Sequence, residues 1–250
     1  ANDEEYEVKN RYEIQEFLFV DDFVDEILDA LEGHPHRCDF PAAGTPSPDP
    51  TAQYDGRTPV PNDDGKFCYS PRIARTTVES VVKHLESFNK MNTTLIVSEM
   101  PTDSLTYSLF SMYLSYLPER KMSYPVKMSM DNRGVFTELV KTRNNGQVSI
   151  NIARPGNVRG QHWHNKKWEI FIVVSGHGLI QEREIGSDKV INFEVRGEEM
   201  RAIIMLPGYT HNIINLEKDR DLVTVMFANE QFDPEHPDTF FEIVDENMEL

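Results

Sequence analysis

Gly156-Asn157-Val158-Arg159-Gly160-Gln161-His162-Trp163-His164-Asn165-Lys166-Lys167-Trp168-Glu169 is the stretch whose reading decides the fold. His162 and His164 are two apart, and side chains two apart on a strand share a face. Both imidazoles can therefore reach one point. Glu169 opens the apolar run Ile170 to Val174 and can bring a carboxylate there. His211 comes much later, in Pro207-Gly208-Tyr209-Thr210-His211, where a turn leads into a strand. Three histidines and one carboxylate suit zinc, iron, manganese or nickel, and sequence does not choose among them.

Around this stretch the apolar period is two. Val148, Ile150 and Ile152 alternate with polar neighbours. Ile170 to Val174, Leu179 to Glu184, Val190 to Val195, Arg201 to Leu206 and Leu222 to Phe227 are further short strands, punctuated by Asn144-Asn145-Gly146, Ser175-Gly176, Ile185-Gly186-Ser187-Asp188 and Lys218-Asp219. Many short, evenly spaced strands predict a sandwich or barrel.

Before Pro125 the period is helical. Val20, Phe23, Val24, Ile27, Leu28 and Leu31 mark one helix, ended by Gly33 and preceded by a short strand from Glu16 to Val20. A second helix runs from about Thr77 to Phe88, with Thr76 and Glu79 as a capping box. A third runs from about Ser104 to Tyr116, capped by Asp103 and closed by Pro118. Pro41 to Gly65 holds six prolines and reads as a surface loop or insertion. The expected organisation is an α+β segment over 1–120 and an all-β domain over 121–250.

The chain has 250 residues and a formal charge of −17. That charge argues against non-specific nucleic-acid binding, which depends on lysine and arginine against phosphate, and against attraction to anionic lipid. A small anionic ligand remains compatible, because local basic residues can outvote net charge. Cys38 and Cys68 read as free thiols. No apolar run approaches membrane-spanning length, and no signal peptide is visible at the N-terminus. The expectation is a cytoplasmic protein.

Gly156, five residues, His162, one, His164, four, Glu169, six, Gly176 has the spacing of the first cupin motif. Gly208, two residues, His211, three, Asn215 has the core of the second. There Leu206 stands where the motif has proline, and Pro207 is displaced by one. From Ser123 onward the chain resembles the cupin domain of the CapF family of bifunctional capsular-polysaccharide enzymes. The matching residues are Tyr124 to Lys127, Asp131 to Glu138, Gly146 to Ser149, His162 to His164, Gly208 to Asn212 and Phe232 to Pro234. The resemblance implies a jelly-roll β-barrel, with zinc held by His162, His164, Glu169 and His211. His34, His36, His84, His177 (in a turn) and His236 do not join this set.

The first half resembles the late substrate lobe of an extended short-chain dehydrogenase, over Tyr12 to Gly33 and Pro71 to Phe88. It lacks the Gly-rich dinucleotide turn and the Tyr-x-x-x-Lys pair of that family. The resemblance therefore implies the C-terminal part of a longer reductase–cupin polypeptide, without an NAD(P) site.

In the family, the cupin domain is linked to epimerisation of a UDP-linked 4-keto-6-deoxy-N-acetylhexosamine. An NADPH-dependent reductase step follows, feeding N-acetyl-L-fucosamine synthesis for capsule or O-antigen. Epimerisation beside a ketone needs a base, stabilisation of the enolate, and an acid on the other face. A second resemblance competes for one residue. Asp131 to Glu138 and Arg159-Gly160-Gln161-His162 are similar to dTDP-4-dehydrorhamnose 3,5-epimerase, where the histidine of this segment is the catalytic base. The cupin spacing favours His162 as a ligand. Tyr209 and Lys167 are then further candidates to carry protons. Arg133 and Arg159 are candidates for the diphosphate, since guanidinium pairs with phosphate in a fork. Phe136, Glu138 and Gln147 are candidates to line the sugar pocket. For Arg133 a turn-stabilising role beside Gly134 is an equal alternative. The rival classes are a structural or sugar-binding cupin without catalysis, and a metal-dependent dioxygenase. A homodimer is expected from the cupins it resembles.

Overall fold

The computed structural model describes residues 6–33, 73–101, 104–144 and 146–246. Cys38, Cys68, His34, His36, Asp103 and the 41–65 stretch lie outside the described residues. The chain divides into two compact units, Ala1–Asn89 with Glu99–Met122, and Lys90–Ser98 with Ser123–Leu250.

In the first unit, β1 (Ile14–Phe17) pairs antiparallel with β2 (Ala74–Thr77). The strand expected over 16–20 thus sits earlier, and Val20 opens α1 (Val20–Leu31) instead. Gly33, at φ +87°, follows α1. Helix α2 (Val78–Thr94) is capped by Thr77, whose hydroxyl accepts the Ser80 N–H at 3.2 Å. Thr76, the expected cap, is inside β2. The helix outruns its expected end at Phe88 because neither glycine nor proline interrupts it before Leu95, which turns to φ +61°. Helix α3 (Leu105–Ser115) is capped by Ser104 through the Tyr107 N–H. Phe88, Leu109 and Tyr113 form the core of this unit, with Val81, Leu85, Leu105 and Phe110 against them. The apolar face of α1 is different: Val20, Phe23, Val24, Ile27, Leu28 and Leu31 are all exposed.

The second unit is built on strands β3 (Ile96–Val97), β4 (Met128–Asp131), β5 (Gly134–Thr142), β6 (Gln147–Ala153), β7 (Val158–Trp163), β8 (Glu169–Ser175), β9 (His177–Glu184), β10 (Val190–Arg196), β11 (Ala202–Met205), β12 (Tyr209–Asn215), β13 (Leu222–Ala228) and β14 (Phe240–Phe241). One sheet has the order β10-β9-β12-β7-β14, and the other β11-β8-β13-β6-β5-β3, with β4 also on β5. Every pairing is antiparallel except β3 with β5. Phe171, Val173 and Leu222 of one sheet form a single core with Ile180, Val195 and Ile213 of the other, so the sheets pack face to face. The expected barrel is corrected in this respect: two sheets with free ends replace one continuous ring of strands.

The strands expected from alternation are all present, with ends displaced by a residue or two. Only the His162 end of β7 was read as a strand from sequence, and the rest was not legible. Val-Arg-Gly-Gln-His-Trp does not alternate, and Gly160 and Gln161 both have positive φ. Glycine at 160 has a steric reason. A Cβ there would lie 2.8 Å from the His211 carbonyl oxygen, where β7 passes β12. His177, expected in a turn, opens β9. Among the described residues no helix is long and apolar enough to cross a membrane.

Candidate metal centre

Each proposed ligand is placed by its strand. His162 is near the end of β7 and lies directly opposite His211 of β12. A register shift between His211 and Asn212 accompanies that match. His164 falls one residue past β7. Glu169 is the first residue of β8, in the facing sheet. The four ligand atoms lie within 4.8 Å of one another. His164, Glu169 and His211 are buried, while His162 is half-buried and forms the open side.

The inward atoms of this cluster have no internal partner. His164 Nε2, Glu169 Oε2 and His211 Nε2 are all buried without a hydrogen bond. Glu169 Oε2 stands 3.6 Å from His164 Nε2 and 3.4 Å from His211 Nε2. Four donors at zinc–ligand distances around a tetrahedral ion are separated by about 3.3 Å. Buried polar atoms are otherwise almost always paired, so the residues present fit a divalent metal. Electrostatics agree. Burial, reinforced by His211 and His164, holds His162 neutral, with its pKa pushed down to about 3. Burial would raise Glu169, but the two imidazoles facing it and the Lys167 ammonium outweigh that and leave it well below the usual carboxylate range.

A second layer, not legible from spacing, holds these ligands. The Asp238 carbonyl oxygen contacts His164 Nδ1, and Thr239 Oγ1 lies 3.4 Å from the same nitrogen. A hydrogen donated from Nδ1 leaves the Nε2 lone pair facing inward, the usual arrangement behind a metal-binding histidine. The Asp238 carboxylate accepts from the backbone N–H groups of Asn165, Lys166 and Lys167, fixing the turn between His164 and Glu169. Lys167 Nζ sits 3.0 Å from Glu169 Oε1. Glu182 of β9 lies opposite His211 and is buried, and its carboxyl is raised by that burial.

The other candidates separate. Asp131 accepts from both Arg133 and Arg159, the latter at 3.0 Å, so two guanidiniums share one carboxylate. Asp131 also caps the Arg133 and Gly134 N–H groups, so the turn-stabilising reading of Arg133 has a physical basis. Glu138 is paired with Lys141, and Gln147 donates to Ser149. Tyr209, two residues before His211, makes no side-chain hydrogen bond to the four ligands. His84 stacks on Phe88, His177 pairs with Glu194 and His236 with Asp233. A cavity of about 480 Å³ lies under the 230–239 segment, lined by Lys167, Phe232, Asp238 and Thr239 among others. None of the four clustered residues lines it, though Lys167 of its wall contacts Glu169, and Asp238 and Thr239 contact His164.

Residues 129–240 match the family described as the polysaccharide biosynthesis C-terminal domain. The structure of the capsular polysaccharide assembling protein CapF from Staphylococcus aureus is 37% identical, with a TM-score of 0.77, over 96% of this chain. The chain resembles CapF over nearly all its length. A structure of CapF with the inhibitor 3-isopropenyl-tropolone aligns equally well, with a TM-score of 0.79 and 38% identity over 96% of this chain. UDP-2-acetamido-2,6-beta-L-arabino-hexul-4-ose reductase of Pseudomonas aeruginosa is 38% identical over 164 residues, 66% of this chain. The chain spans only part of these relatives: 44% of the reductase, and 58% and 62% of the two CapF chains.

Proposed function

We propose that this chain carries out metal-dependent epimerisation of a UDP-linked 4-keto-6-deoxy-N-acetylhexosamine for polysaccharide synthesis. The observation that carries the reading is the set of buried, unpartnered inward atoms on His164, Glu169 and His211, with His162 on the open side. On this reading the β unit is a cupin jelly roll, the metal is zinc, and the chain acts in the cytoplasm as a homodimer. The first unit is the remnant of a dehydrogenase substrate lobe. The NADPH-dependent reduction belongs to the part of the longer relatives that this chain does not span.

A bound divalent ion would supply Lewis acidity toward a ketone oxygen. The remaining work falls to the chain. His162, His164, Glu169 and His211 hold the site, and burial keeps His162 neutral as a ligand must be. Lys167 positions Glu169. Arg159 and Arg133 present guanidinium to the diphosphate. Phe136, Glu138 and Gln147 line the sugar pocket. A tropolone offers two adjacent oxygens, a pair suited to chelating a divalent ion. An inhibitor of that chemistry on CapF is in keeping with a divalent metal in that relative.

The test is proton exchange in D₂O, followed by NMR on a UDP-linked 4-keto-6-deoxy-hexosamine with the metal-loaded chain. Deuterium should enter at the carbon beside the ketone. Its absence would sink the epimerase reading. A metal-loaded protein that also shows no oxygen-dependent turnover would be a structural or sugar-binding cupin.

A further inference from the structure

The inner face of the β unit is chemically split. Around β8, β9 and β12 it is apolar, with Phe171, Val173, Ile180 and Ile213 packed together. On β5 and β6 it is polar. Gln147, Ser149 and Asn151 alternate along β6, each nearly buried, and share the face of the core residue Ala153. The register sets Glu138 of β5 beside Ser149, and Phe136 beside Asn151. Thr224 of β13 lies on the other side of Asn151.

One of these groups is buried and unsatisfied, and a second has no protein partner among the described residues. Thr224 is 0% exposed and its hydroxyl has no partner. Asn151 is 4% exposed, and its side chain makes no hydrogen bond among the described residues. Unpaired buried amides and hydroxyls are costly and uncommon. A pure core would place apolar residues here. Two such groups side by side mark a surface that a bound molecule completes.

The order along this face is directional. Glu169, Ala228 and Gln147 form one row across β8, β13 and β6, with the small Ala228 between the two polar residues. Ser149 and Glu138 lie one row further, then Asn151 and Phe136, then Gly134 opposite Asp131. At about 3.3 Å per residue, the Asn151 row lies about 13 Å from the Gln147 row along β6. Arg159, on the inner face beside Ile213, reaches Asp131 at the far end.

We propose that the hexosamine ring of the UDP-sugar lies along β5 and β6, hydrogen-bonded by Glu138, Ser149 and Asn151, with its ketone toward His162 and its diphosphate toward Arg159. This rests on the sugar-nucleotide reading above and adds to it a ring subsite and a direction. A carboxylate, a hydroxyl and an amide suit neutral sugar hydroxyls and an acetamido group. Two guanidiniums against one carboxylate at the far end suit a diphosphate. Phe136 offers a ring to the apolar face of the sugar, and Thr224 backs Asn151.

Calorimetric titration of the full chain with UDP and with UDP-N-acetylglucosamine separates the parts. The second ligand carries the hexosamine but no ketone. The wild type should bind it more tightly than UDP. Asn151→Ala should lower that affinity about five- to tenfold, the worth of one or two neutral hydrogen bonds, and leave UDP unchanged. Thr224→Val keeps the shape of the side chain and should give a smaller loss in the same direction. Arg159→Gln should weaken both ligands. The proposal is overturned if the wild type does not prefer the sugar nucleotide. It is equally overturned if both β6 and β13 variants keep full sugar affinity while Tm shifts, which marks a buried water site. Failure of deuterium exchange in the wild type removes the epimerase reading alone, because this binding preference needs no turnover.

Discussion

The two units use apolar residues in opposite ways. In the β unit, Ile180, Ile213 and Leu222 are almost wholly buried, because two sheets supply each other with a surface. In the first unit, α1 has an equally regular apolar stripe, yet Leu28 and Leu31 are 51% and 78% exposed. Periodicity says which face of an element wants cover. It does not say that the same unit provides it. The β unit is therefore where buried chemistry can be held in a fixed geometry, and the cluster of His162, His164, Glu169 and His211 is there.

Substitutions can break or sharpen this contrast. The largest effect is expected from His164→Ala, which removes a buried ligand. Metal content should fall from about one per chain to near zero, since a zinc site depends on its full ligand set; full occupancy by elemental analysis would show the ligand assignment to be wrong. Next comes Ile180→Ala in the core, expected to cost about 2–5 kcal/mol in urea unfolding. A cost near zero would mean the sheets do not pack as described.

Acid should act on the metal-free β unit by a smaller amount. His162 has a pKa near 3 when folded, against an ordinary value of 6.5. The unfolded chain thus binds the extra proton first. Stability is full above about pH 6.5 and drains as pH falls toward 3. Glu169, also depressed, adds to the loss below its ordinary value of 4.5. With chelator present, the His162 share should be about 2 kcal/mol by pH 5. A flat stability profile between pH 7 and 5 would contradict a buried neutral His162. The smallest effect is expected from Leu28→Ala on α1, within about 0.5 kcal/mol as for other exposed positions. A loss as large as that of Ile180→Ala would show that the α1 stripe is covered after all.

Much of the clustering of the candidate ligands was legible because cupin-like spacing is local. His162, His164 and Glu169 fall within one turn and its flanking strands, so chain geometry alone brings them close. His211 needed the second spacing, and its meeting with His162 depends on long-range pairing of β7 and β12. The apolar strands were legible from alternation. β5 and most of β7 were not, because Glu138, Lys141, Arg159 and Gln161 interrupt the pattern there. Asp238 and Glu182 were invisible because their roles arise from a carbonyl contact and a cross-strand register, neither of which leaves a spacing signature. In the first unit α2 is capped by Thr77 and not Thr76, because the Glu79 N–H that Thr76 would cap is taken by the Arg11 carbonyl; α3 is capped by Ser104.

The segment from Asp238 to Val244 has a consequence for how the protein comes into being. β14 pairs with β7, Val244 donates to Gln161, Arg183 and Thr210 grip the carbonyls of Val244 and Glu242, and Asp238 backs His164. A ribosome delivers the N-terminal side of a chain first. His162, His164, Glu169 and His211 therefore all emerge before the backbone that orients them. A nascent chain stalled before Asp238 has every ligand and no braced site. Secure metal capture is thereby postponed until the segment from Asp238 to Val244 has emerged, a timing written into the order of the residues.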